Sequence, residues 1–349
     1  MEEAYEGLGH PSTWDAEALK LQNDFHRKPR VVVCGAGGFV GGQMVKYLVK
    51  KGFEVRAVSS RPIDQWLYVD RDAAHSYSAD LRDPSACCDA VSGANWVYNF
   101  AAKVGGIGYI GDHKLDCLLS SLINTNLLRA VDTIKVAGYF FASSACIYGS
   151  SDLPISETDT LVPSSGYGEE KIFSERMCRA FHEERNTPVR IARFTGIYGP
   201  GDSIKGRENK DHAPSALARK VVSAKLSGIH EIAIWGDGKQ VRNFLYVDDA
   251  VEAAFRIMHS NCATPINVGT TENINLNGVV DHLEEISGTN LARFYDLKAA
   301  EGVRSRIYSL KKLTEVTKWI PQTSLRDGLR ATYNDIWNQA ICNSDLVKS

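Results

Sequence analysis

Val31–Val33 runs straight into CGAGGFVGG, and an amphipathic stretch, QMVKYLVKKG, follows. Gly35, Gly38 and Gly41, spaced GxxGxxG between a β-branched strand and a helix, leave few folds open. Gly35 permits a tight turn, Gly38 lets backbone N–H groups approach a diphosphate, and Gly41 lets helix and strand pack closely. The helix N-terminus adds partial positive charge. A lone triplet is weak, but its place after a strand and before a helix makes it a signature of dinucleotide binding, with a merely structural turn as the alternative. Phe39 and Val40, inside the loop, are then expected beside the cofactor.

The same alternation continues. EVRAVSS, NWVYNFAA, YFFASSACIYG and VRIARFTGIYG read as strands, separated by helical DPSACCDAVSG, LLSSLINTNLLRAVDTIKVAG and GEEKIFSERMCRAFHEERN. Such spacing predicts an α/β fold, a Rossmann-type doubly wound parallel sheet covered on both faces with right-handed crossovers. After Pro200 the pattern loosens into a polar loop, GPGDSIKGRENKDHAPS, then helical ALARKVVSAKL, strand-like EIAIWGDG, helical VDDAVEAAFRIMH and strand-like PINVG. A strand (ARFYDL), an Arg-bearing loop and two short helices close the chain. The expected organisation is an N-terminal extension over 1–29 with one short helix, an NAD(P)-binding domain over 30–195 and a smaller mixed α/β substrate lobe over 196–340. Residues 237–270 return to the first domain, and 341–349 form a tail.

Composition narrows the function classes. A chain of 349 residues holds two closely joined domains, and 44% hydrophobic with 23% charged residues is ordinary for a soluble globular protein. A net charge of -2 gives no electrostatic footprint for nucleic acid or an anionic membrane. No run approaches the ~18 apolar residues of a bilayer span. The eight cysteines are scattered without a CxxC pair, and the chain opens on polar, acidic MEEAYEGLGHP. The expectation is a reduced, cytoplasmic protein with neither disulfide framework nor metal site.

The second strand ends in Ser59-Ser60-Arg61, where an acid would bind the adenosine ribose diol. Serine and arginine suit a 2′-phosphate, so NADP stays open beside NAD. Asp80 and Leu81 are placed either to flank the adenine or, for Asp80, to cap a helix. Ser144 lies at a strand end shortly before Tyr148, and Tyr167 and Lys171 sit at i and i+4 on one helical face. A lysine ammonium near a phenol favours the phenolate and lowers its pKa. Such a tyrosine removes a proton from a sugar hydroxyl as hydride leaves the same carbon, with Ser144 holding the hydroxyl. Between them sits Cys146, an inert packing thiol or a working base.

The pieces GAGGFVG, AAKVGGIG, ASSACIYG, SGYGEEK, RFTGIYGP, SIKGRE, WGDGKQVRNFLYVDD, INVGT and EGVRSR together resemble the extended short-chain dehydrogenase/reductase family of nucleotide-sugar enzymes. Within it they are most similar to the branch that epimerises GDP-mannose. The resemblance implies a homodimer that binds a nucleotide-diphosphate sugar, GDP-mannose favoured, and recycles NAD through transient C4 oxidation by Tyr167 and Lys171. Related dehydratases carry an acid at the position of Cys146 that takes the C5 proton, which makes Cys146 the base here. Lys205 matches the acid of the opposite face. Its loop is longer than the family pattern, so Lys210 and His212 compete for the role. The GDP-fucose-forming branch also has a cysteine at this position, uses a histidine acid and spends NADPH, so it stands as the second reading.

The resemblance also implies that Arg242 and Arg304 or Arg306 grip the diphosphate, a task suited to bidentate guanidinium. Gln240 belongs to the same substrate-lobe motif. Gly105 and Gly106 let backbone approach the sugar. Ala101 and Lys103 stand beside the cofactor, with solvent as the alternative for Lys103. Gly196 stands where relatives carry a substrate-contacting asparagine.

Overall fold

The computed structural model describes residues 29–67, 74–202, 211–300 and 302–345. The expected helix within the 1–29 extension lies outside the described residues, as do Lys205 and Lys210. In chain order the strands are β1 (Arg30–Cys34), β2 (Glu54–Ser59), β3 (Ala74–Ser78), β4 (Trp96–Asn99), β5 (Gly138–Ser144), β6 (Ser151–Ile155) and β7 (Val189–Phe194). They continue as β8 (Gly196–Tyr198), β9 (Glu231–Trp235), β10 (Val241–Tyr246), β11 (Ile266–Val268), β12 (Asn273–Asn275), β13 (Ala292–Asp296) and β14 (Arg306–Tyr308).

Seven of these form one sheet in the order β3-β2-β1-β4-β5-β7-β11, every neighbouring pair parallel. Its central strands are apolar without alternation because both faces are covered; Val31, Val32, Val33 and Cys34 are all buried. The helices Phe39–Lys50 and Val247–Met258 close one face around Met44, Leu48 and Phe255. The helices Pro84–Val91, Ser120–Ile134 and Gly166–Arg185 close the other around Cys87, Leu127, Leu128 and Cys178. Strand order reverses between β1 and β4, and at such a switch point a crevice opens beyond the C-terminal strand ends.

The smaller lobe has its own core. Helices Ala213–Ser227, Leu276–Ser287 and Leu325–Asp345 close around Leu217, Val221, Val280 and Leu329. Beside them β10 pairs in parallel with β8 and antiparallel with β12. Within 237–270, β11 and the helix Val247–Met258 join the large sheet, whereas β10 belongs to the lobe. The final helix is not short: it spans Leu325–Asp345, 21 residues, and enters the stretch read as a tail. Leu329, Tyr333 and Ile336 bury one face of it at helical spacing. Two short helices after AAKVGG, Ile107–Asp112 and Lys114–Leu118, were not legible in that glycine-rich run.

Candidate active site

A cavity of about 780 Å³ runs from the glycine loop across the ends of the central strands into the smaller lobe. Gly35 has φ +82°, and a Cβ there would stand 2.8 Å from the Ala101 nitrogen; one on Gly41 would stand 2.3 Å from the Gly35 carbonyl oxygen. Only glycine permits this fold of the loop. Gly38 begins the helix Phe39–Lys50 without a side-chain cap, so the first N–H groups stay uncovered. Gly35, Gly38, Phe39, Val40, Ala101 and Lys103 line the cavity, as do Ser59 and Arg61. Arg61 Nη1 donates to the Gly37 carbonyl (3.0 Å), and Trp66 Nε1 donates to the Arg61 carbonyl (2.8 Å). The guanidinium is thus pinned across the glycine loop.

Asp80 is not a helix cap. The helix Pro84–Val91 is capped by Asp83, whose Oδ1 accepts the Ser85 N–H (2.9 Å). The Asp80 carboxylate accepts instead from the Arg82 guanidinium and backbone N–H, and hydrogen bonding to Arg82 holds it below its ordinary range. Asp80 and buried Leu81 both line the cavity. A cradle of bare backbone, an uncapped helix start and an apolar seat at Leu81 fits a dinucleotide.

At the centre, β5 ends at Ser144 and turns through Ala145–Ile147. Ser144 Oγ accepts the Cys146 backbone N–H (3.1 Å) and shares a hydrogen bond with the Tyr167 phenol. The helix Gly166–Arg185 starts at Ser165, whose Oγ accepts from the Gly168 N–H (3.2 Å). A Cβ on Gly168 would come within 2.7 Å of the Cys146 carbonyl oxygen, so this glycine lets the helix rest against the turn. Below them, buried Arg193 of β7 donates to both carboxylate oxygens of Glu175 (2.9 and 2.6 Å) and to the Tyr148 hydroxyl (2.6 Å). Ser143 also donates to Glu175 (2.5 Å). One buried network thereby ties β5, the Cys146 turn and the Tyr167 helix together.

Lys171 Nζ lies 5.3 Å from the Tyr167 ring centroid, 4.7 Å from that of Phe141 and 3.3 Å from Glu170 Oε2. The expected lowering of the Tyr167 pKa is not found. Burial, with added repulsion from Cys146 and Glu170, pushes the phenol well above its ordinary value, against the Ser144 hydrogen bond. The physical reason is burial first, with the nearby acidic groups adding to it.

Cys146 is half-buried and lines the cavity. Cys34, Cys87 and Cys178 are instead sealed in the sheet core, where burial pushes their thiols up, Cys87 to about 12. Gly105, Gly106, His212, Gln240, Arg242 and Arg306 line the same cavity. A Cβ on Gly106 would stand 2.7 Å from the Asp211 carbonyl oxygen. His212 is held twice by Asp202: its backbone N–H donates to Oδ2 (3.1 Å) and Nδ1 lies 3.2 Å from Oδ1. Burial alone would depress its pKa, but the charge and hydrogen bond of Asp202, with Asp211, leave it raised.

Gln240 is buried, donating from Nε2 to the Trp235 carbonyl (2.9 Å). Arg306 Nη2 donates to the Tyr148 carbonyl (2.6 Å), which braces the far side of the Cys146 turn.

Of the alternatives Arg304 and Arg306, only Arg306 lines the cavity; the Arg304 guanidinium pairs with Asp237 of the WGDG turn (2.8 and 3.0 Å). At Gly196 a Cβ would meet the Phe244 ring at 3.3 Å, so that ring flanks this position.

Sequence reasoning passed over Tyr308, Trp235, Arg219 and Asp202, all in the cavity wall. Trp235 opens the quoted WGDGKQ motif and could have been found; Tyr308 has no motif around it. Among the described residues no cluster of His, Cys, Asp or Glu could hold a metal ion, and no helix is long and apolar enough to cross a membrane.

This sheet and glycine loop define a Rossmann-type protein of the dinucleotide-binding class. The chain belongs to the NAD dependent epimerase/dehydratase family, whose model matches residues 31–269. It is 30% identical to GDP-mannose 3,5-epimerase 1 of Oryza sativa subsp. japonica, over 95% of this chain and 85% of that protein. It is 26% identical to GDP-L-fucose synthase 1 of Arabidopsis thaliana, over 91% of this chain and 95% of that one. Among solved structures, UDP-glucose 4-epimerase of Thermotoga maritima with UDP-glucose superposes with a TM-score of 0.80 at 24% identity, covering 90% of this chain and 99% of that one. The family is one of nucleotide-sugar epimerases and dehydratases, with NAD as its cofactor.

Proposed function

We propose that the protein is a nucleotide-sugar epimerase that inverts carbon next to C4 of the sugar, with GDP-mannose as favoured substrate and NAD held and recycled. The observation that carries this reading is Cys146, set on a turn bonded to Ser144 in the cavity that Tyr167 and Lys171 also line. The similarity to GDP-mannose 3,5-epimerase along nearly the whole chain supports the substrate.

Gly35, Gly38, Phe39, Val40, Ser59, Asp80, Leu81 and Ala101 hold the dinucleotide. NAD, when bound, supplies a reversible acceptor for the two electrons released at the sugar C4. Ser144 holds the C4 hydroxyl, and Tyr167, acting as phenolate beside the Lys171 ammonium, takes its proton. The phenol formed in this way donates a hydrogen bond to the C4 carbonyl oxygen. A carbonyl polarised in this way acidifies the hydrogens on C3 and C5. Cys146 removes one of them as thiolate, and an acid on the opposite wall returns a proton to the other face. Lys205 is the expected acid, with Lys210 and His212 competing; among the described residues His212 lines the cavity, its pKa raised by the charge and hydrogen bond of Asp202 against burial. Arg242 and Arg306 grip the diphosphate.

Incubation with GDP-mannose in heavy water tests the reading. Deuterium is expected at C3, C5 or both by mass spectrometry. Cys146→Ala is expected to abolish incorporation while the near-ultraviolet band of reduced nicotinamide still forms on the protein. A Cys146→Ala variant that exchanges at the wild-type rate overturns it.

The second reading, a 4-keto sugar epimerase/reductase that spends NADPH, is favoured by two observations. The His212–Asp202 pair matches its histidine acid, and Ser59 and Arg61 line the end of the cavity where a 2′-phosphate would sit. Stoichiometric loss of NADPH absorbance with a 4-keto sugar substrate selects it; turnover without net absorbance change selects the epimerase. A homodimer is supported by the exposed Leu115, Leu122 and Phe173, on helices Lys114–Leu118, Ser120–Ile134 and Gly166–Arg185, and sedimentation tests it.

A further inference from the structure

We propose that Tyr308 is a specificity-determining residue that contacts the sugar, its phenol hydrogen-bonding a sugar hydroxyl on the edge of the ring beside Cys146. The inference rests on the nucleotide-sugar reading above and adds to it a residue that neither the glycine loop nor the YxxxK pair predicts.

Tyr308 ends β14, which pairs in parallel with β6 and sets it opposite Ile155. Its ring packs on the hydrophobic cluster beneath the Cys146 turn, Ala145, Ile147 and Tyr148 among them, with centroids 6.2 Å apart between Tyr308 and Tyr148. The ring is therefore fixed against the same turn that carries the proposed base. The charged and titratable groups around its phenol are Arg306, Cys146, Arg242 and Tyr148. The phenol thus stands where the proposed diphosphate-gripping guanidiniums meet the proposed base, the junction a sugar ring joined to a diphosphate must occupy.

The hydroxyl itself is the second observation. Among the described residues it has no hydrogen-bond partner, yet it is not one of the polar atoms sealed from solvent, and the residue lines the cavity. A phenol whose ring is packed but whose hydroxyl opens into the cavity can exchange water for a hydroxyl of a bound ligand. A sugar hydroxyl answers this, and a site built to bond a hydroxyl discriminates strongly against sugars that lack it.

Tyr308→Phe keeps the ring and its packing and removes only the oxygen. Calorimetric titration with GDP-mannose and with GDP alone, NAD present, separates the sugar contact from the nucleotide contacts. The variant is expected to bind GDP-mannose about tenfold more weakly and GDP as tightly as the wild type. Equal affinity for GDP-mannose overturns the proposal. An equal loss for both ligands also overturns it, since Tyr308 would then act through Arg242 and Arg306. If the wild type binds UDP-glucose rather than GDP-mannose, the same comparison is made with UDP-glucose and UDP. A wild type that binds NAD but neither sugar nucleotide overturns the functional reading itself, and this proposal with it.

Discussion

The ammonium of Lys171 lies 3.3 Å from Oε2 of Glu170, the residue directly before it, and both side chains are almost wholly buried. The other carboxylate oxygen accepts from Ser174 Oγ (2.6 Å). Removing one member of a buried pair leaves the other charge uncompensated, which costs about 3–5 kcal/mol, whereas removing both costs far less. Glu170→Gln is expected to lose on the order of 3 kcal/mol in chemical denaturation, and Glu170→Gln/Lys171→Met to regain most of it. A single variant as stable as the wild type would show that the two charges are not coupled.

Gly168 decides how closely the Tyr167 helix rests on the Cys146 turn, since a Cβ would stand 2.7 Å from a carbonyl oxygen there. That neighbour is backbone and cannot swing aside. Gly168→Ala is expected to spread Tyr167 and Cys146 apart and to slow turnover on the order of 10–100-fold, with NAD affinity unchanged. Single-turnover rates and fluorescence titration with NAD check both halves.

Burial lowers the His212 pKa, but the charge and hydrogen bond of Asp202, with Asp211, outweigh it and raise the pKa above the ordinary imidazole value. Because the folded-state pKa is raised, this contribution to stability is complete below the unfolded imidazole value and is lost as pH rises through the folded one. Asp202→Asn leaves burial unopposed except by Asp211, so the His212 titration followed by NMR is expected to move to lower pH. An unchanged midpoint would exclude Asp202 as the cause.

The buried acids set the alkaline limit. Burial raises Cys87 and Tyr148 to about 12, and raises Cys34, Cys178, Tyr98 and Tyr139 as well. Below the unfolded values of 9.0 for cysteine and 10.0 for tyrosine nothing is lost. Above them the unfolded chain releases protons that the folded chain retains, so stability falls with rising pH. Denaturant midpoints are expected to fall with rising pH above about 8.5 and to drop steeply beyond about pH 10.

The sequence alone determined what depends on local spacing. The β-branched runs, the glycine triplet and the i, i+4 placement of Tyr167 and Lys171 follow from strand and helix periodicity, which tertiary packing does not alter. The large parallel sheet followed from them, and so did the position of Ser144 and Cys146 on the end of one of its strands. Tertiary structure decided whatever depends on which distant group arrives first. Arg304 and Arg306 are equivalent in the sequence; a carboxylate on a neighbouring turn takes one, and the cavity wall keeps the other. Asp202 and His212, ten residues apart, meet only in the fold, and Tyr308 meets the Cys146 turn only because β14 aligns with β6. Even the adjacent pair Glu170 and Lys171 gained its meaning from the fold, since two charges side by side on a helix matter little until water is excluded from both.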